Sequence, residues 1–150
     1  MANIVFNIAK GKVNEYYDRV NDNDPATARL VLVPIETSGL ESDATLIDVD
    51  TLAALIAGAT NEQTTMGRKY LTDSDLAAGS PTDASDYNDR TLPTVTWSGA
   101  TGNAISKIAV CYDPATSADS AIIPLTMFDF VQTPSGADIQ MTTGVFFRAS

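Results

Sequence analysis

The segment Thr94–Phe130, TVTWSGATGNAISKIAVCYDPATSADSAIIPLTMFDF, constrains the fold of this chain more than any other. Ile108, Val110 and Tyr112 alternate with Ala109, Cys111 and Asp113, the period-two pattern of a β-strand. After the small polar loop Pro114–Ser120 comes Ala121–Phe130, which strict alternation makes apolar on both faces. Ile122, Phe128 and Phe130 fall on one face, and Ile123, Leu125 and Met127 on the other. Such a strand has to be covered twice, so one face is expected on the chain's own core and the second against something else. That is the pattern of an assembly component. These six residues, together with Ile4, Val5, Phe6 and Ile8 near the N-terminus, are the candidate contact residues.

The chain's 150 residues predict one domain, 1–150, able to bury roughly 68–70% of its unfolded surface. An apolar fraction of 44% supplies a real core. With no His, the chain lacks the commonest general base and the commonest metal ligand. Its single Cys, Cys111, has no intrachain disulfide partner, and strand alternation beside Ala109 and Lys107 makes it a small packed residue.

Nineteen acidic residues stand against nine basic ones, a net charge of −10. Neither the stretch between Leu30 and Gly67 nor Ile108–Phe147 contains Lys or Arg. Surfaces of that kind repel phosphate, so neither nucleic acid nor an anionic membrane is an expected partner. The start of the chain, MANIVFNIAKGK, has no basic residue ahead of its apolar run and is not read as a secretory signal. No segment approaches the ~18 apolar residues of a membrane-spanning helix. The expectation is assembly in a reducing cytoplasm.

The apolar residues of 4–8 fit an N-terminal arm (1–8) or the lead-in to a helix. Val13, Tyr16, Tyr17 and Val20 then mark one face of an amphipathic helix over about 9–21, firm only after Gly11. Asn21–Pro25 ends it. Leu30–Val33 reads as a buried strand stopping near Pro34. A short helix, Thr51–Ala57, is expected behind an Asp48 or Asp50 cap, with Leu52, Leu55 and Ile56 on one side and Gly58 at its end. Met66–Thr72 is a candidate strand, and the Asp-rich run Asp73–Asp89 reads as a long surface loop. Thr91–Trp97, Ile105–Tyr112, Ala121–Val131, Ile139–Thr142 and Val145–Arg148 complete the strands. Pro124 inside one of them implies an edge or a bulge. Thr133-Pro134-Ser135-Gly136 has type I turn chemistry and is expected to join two strands antiparallel. The fold class expected is mainly β with one or two short helices (α+β), an antiparallel β-sandwich-like domain.

Familiar catalytic patterns fail one by one. Without His there is no Ser-His-Asp or Cys-His dyad, and Gly99 and Gly102 lack the strand–loop–helix setting of a phosphate loop. The carboxylate pairs Asp22/Asp24, Asp48/Asp50 and Asp73/Asp75 are explained by caps and turns. Asp73-Ser-Asp75 begins like an EF-hand loop but places Ala77 and Ala84 where oxygen ligands belong. An irregular cation site on Asp83, Asp86 and Asp89 is the remaining alternative. Tyr16 and Trp97 are expected in the core and Tyr87 at the surface. Neither a metal nor a cofactor is expected, and the chain is expected not to be an enzyme.

The order of several segments is familiar beyond these patterns. FNIAKGKV (Phe6–Val13), LVLVPIETSGLESDATLIDVDTLAALIAG (Leu30–Gly58), TNEQTTMGRK (Thr60–Lys69), VTWSGATGNA, VCYDP, IIPLTMFDF and the closing FFRAS resemble a family of small virion structural proteins of tailed phages that infect actinobacteria. The likeness is collinear over nearly the whole chain and rests on no single chemical motif. Phe128 stands where the family often has His before the Asp-Phe pair, and the region from Lys69 to Trp97 is richer in Asp. The resemblance implies a head decoration (minor capsid) protein on the outer capsid surface of the virion. Its implied partners are the major capsid protein and further copies of itself, as a homotrimer. On that reading the candidate residues are trimer or capsid contacts, and the arm 2–8 reaches across seams of the shell. Two other readings are a minor tail or tail-tip adhesion protein binding a host cell-wall polymer, and a carbohydrate-binding module.

Overall fold

A computed structural model describes residues 4–149 apart from 83 and 85. Its centre is a five-stranded antiparallel sheet. The long strands β2 (Arg29–Glu36), β7 (Ile105–Asp113) and β8 (Ile123–Gln132) lie side by side, in the order β8-β7-β2. Two short strands close the edges: β1 (Ile4–Val5) beside β8, and β3 (Lys69–Leu71) beside β2. The smaller sheets are β10-β5-β4, from Gly144–Ala149, Tyr87–Leu92 and Ser80–Thr82, and β6-β9, from Val95–Trp97 and Ile139–Met141. The domain is mainly β and sandwich-like, with three short helices.

Alternation along β2 and β7 feeds two cores. Leu30, Leu32, Ile108, Val110 and Tyr112 face a larger core that also takes Trp97, Leu92, Phe146 and one side of helix α1 (Val13–Asn21). Val31, Val33, Ile35, Ala109 and Cys111 face a smaller core closed by Leu46, Leu52, Leu55 and Phe6. The central sheet is therefore apolar on both faces and covered on both by the same chain.

Helix α1 starts after Gly11, whose φ of +78° a side-chain-bearing residue adopts only at a cost. Val13, Tyr17 and Val20 are buried, and Tyr16 stacks on Tyr112 with ring centroids 4.6 Å apart. Two further helices, α2 (Asp43–Leu46) and α3 (Leu52–Leu55), are single turns held by docking. The cap of α3 is Thr51, whose Oγ1 accepts the Ala54 N–H at 3.1 Å, rather than Asp48 or Asp50. The sequence reading missed α2, which Ser42 caps by accepting the Thr45 N–H.

Other expectations are corrected. Strand β2 runs through Pro34 to Glu36. The Pro34 carbonyl accepts from the Gln63 N–H, on the side away from β7, so the missing proline N–H removes no ladder bond to β7. Pro93 splits Thr91–Trp97 between β5 and β6. The acidic run 73–89 is not all loop, because β4 and the start of β5 lie within it. The Thr133–Gly136 turn does not make a hairpin: β8 pairs with β7 and β1, whereas β9 pairs with β6.

Candidate interaction surface

The structure brings the candidate contact residues together, because β1 pairs antiparallel with β8, Ile4 opposite Met127 and Val5 opposite Thr126. It also places most of them inside. Phe6, Leu125 and Met127 are completely buried, and Ile122 and Phe128 nearly so. Ile4, Val5, Ile123 and Phe130 are half-buried. Ile8, 39% accessible, is the one candidate side chain that stands out into solvent. The second face of Ala121–Phe130 is thus covered by this chain's own α2, α3 and N-terminal segment. Residues 2 and 3 of the proposed arm lie outside the described residues, but 4–8 form an edge strand and the turn after it.

The two-face assignment along this strand also changes. Ile122 and Met127 share the smaller core, whereas Leu125 and Phe128 join the larger one, with Ile123 and Phe130 packed beside them. The cause is a bulge. Register against β7 shifts between Val110 and Cys111, opposite the stretch from Pro124 to Thr126, and one extra residue there reverses the alternation. Phe130 ends near Trp97, with ring centroids 6.3 Å apart.

Ion pairs link neighbouring strands of the central sheet and fasten flanking segments to it. Arg68 contacts Glu62 through Nε and Nη2 at 2.7 and 2.6 Å, and Asp119 through Nη1 and Nη2 at 2.6 and 2.9 Å. It immediately follows the first basic-free stretch and bridges that stretch to the second. The guanidinium holds the Asp119 carboxyl below its ordinary range. Arg29 Nε meets the buried Asp113 at 2.8 Å. Burial alone would raise the Asp113 carboxyl, but the Ser117 N–H, Arg29 and the Ala115 N–H together hold it low. Lys107 reaches Asp129 at 2.6 Å and Asp43 at 3.2 Å. Periodicity carries no signal for such pairs, because apart from Glu62, six residues from Arg68, the partners are 22 to 84 residues apart.

The remaining chemical candidates are occupied structurally. Arg148 binds Asp89 through two bonds of 2.6 and 2.7 Å, and its guanidinium lies 3.8 Å from the centre of the Tyr87 ring. Tyr87 is consequently half-buried instead of fully exposed. Asp75 accepts from the Thr72 N–H at 2.8 Å as part of a capping box. Asp83 of the irregular cation alternative lies outside the described residues. Among the described residues, no group of three or more Cys, Asp and Glu is placed to hold a metal ion. The Cys111 thiol is buried, and that burial pushes its pKa well up, against thiolate formation. A cavity of about 240 Å³ opens between Asp75, Ala77, Thr91, Leu92, Pro93 and Thr143. It has one carboxylate, already engaged in the cap, and no facing acid or base.

No family model, curated protein or solved structure matches this chain.

Proposed function

We propose that this chain is a structural component of a tailed-phage virion: a head decoration (minor capsid) protein that binds the outer surface of the capsid and stabilises the shell without catalysing a reaction. The observation that carries this reading is the collinear series of segments from Phe6–Val13 to the closing FFRAS. The acidic balance is consistent with it, since a chain of net charge −10 suits the outside of a capsid better than contact with packaged DNA. Binding to sites present only in the assembled shell stabilises that shell by mass action.

The buried faces of the central sheet reshape the mechanism. A contact through Leu125, Met127 or Phe128 would require opening a core, so the major capsid protein and further copies of this chain meet its rim. On the N-terminal side that rim carries Ile4, Val5 and Ile8. The test is to locate the chain in purified particles by imaging and to count it by quantitative mass spectrometry. Many copies on the head surface are expected. Absence from mature particles would overturn the proposal, and a handful of copies at the tail would replace it with the tail-tip reading.

A further inference from the structure

We draw no further inference here: the strongest candidate, the cavity of about 240 Å³ between the 73–77 turn, the end of β5 and Thr143, is lined by a carboxylate already held in the Thr72 cap, two threonines and three apolar residues, and nothing in the structure selects the ligand it would take.

Discussion

The backbone N–H of Phe6 donates to the carbonyl of Leu125 at 3.0 Å, and the two residues send their buried side chains into different cores. This bond fastens the N-terminal segment to β8 at the bulge. The segment, expected as an arm or as the lead-in to a helix, is therefore part of the wall of the smaller core and runs on into the turn before α1.

Phe6→Ala should destabilise the chain by about 3 kcal/mol, from lost burial and the cavity left behind. Ile8→Ser, at an exposed position, should stay within about 0.5 kcal/mol of the wild type. Urea unfolding followed by Trp97 fluorescence checks both. Deleting residues 2–8 should likewise lower the unfolding midpoint, so loss of partner binding in that truncation would not identify a contact. A Phe6→Ala chain as stable as the wild type would show that the segment is not structural.

Arg68 pairs with two carboxylates at once, Glu62 at 10% side-chain exposure and Asp119 at 34%. Arg68→Ala should cost about 2 kcal/mol at neutral pH, below the figure for a fully buried pair because solvent reaches Asp119. The folded state lowers the carboxyls of Asp119 and Asp113 from an ordinary value of 3.8. Their stabilisation is complete above that value and lost as the pH falls through their lower folded values. The wild type should lose stability below about pH 4, and the Arg68→Ala chain should show a shallower acid slope. Chemical unfolding at a series of pH values measures it; equal slopes would sink the assignment to Asp119.

Cys111 lies in the smaller core with no exposed surface. A thiol reagent should leave it unmodified in the native state and modify one thiol per chain in denaturant. Below the unfolding midpoint, its labelling should follow the population of unfolded chains. Rapid labelling of the native chain would mean that the α2–α3 cover opens.

Gly39 and Gly11 have nearly equal positive φ values, +79° and +78°, but different surroundings. A methyl group at Gly39 would run into the carbonyl oxygen of Ala59, whereas nothing lies within 4 Å of one at Gly11. Gly11→Ala should cost only the conformational penalty of about 1 kcal/mol, and Gly39→Ala clearly more. Thermal melts of the two variants give the comparison, and equal losses would show that the 37–41 turn yields without penalty.

Much of the fold was legible locally. The alternation of 105–113 placed Ile108, Val110 and Tyr112 opposite Ala109 and Cys111, as the two cores require. The spacing of Val13, Tyr17 and Val20 gave the buried side of α1, and Pro124, expected at an edge or a bulge, lies at a bulge. Less of the contact surface was legible. The sequence showed that β8 is apolar all round, but not that Leu46, Leu52, Leu55 and Phe6 would cover it.

Periodicity, caps and turn residues act within a few positions of each other, so the amino-acid order alone established the three long strands of the central sheet in outline, the helix after Gly11 and an acidic chain without histidine. Three-dimensional packing decided which apolar residues remained outside. It also decided that Arg68 joins Glu62 to Asp119 and that 87–92, within and beyond the acidic run, pairs with 144–149. These outcomes depend on segments distant along the chain meeting in space, and one bulged residue at the wrong place would have turned every later side chain of β8 to the other face.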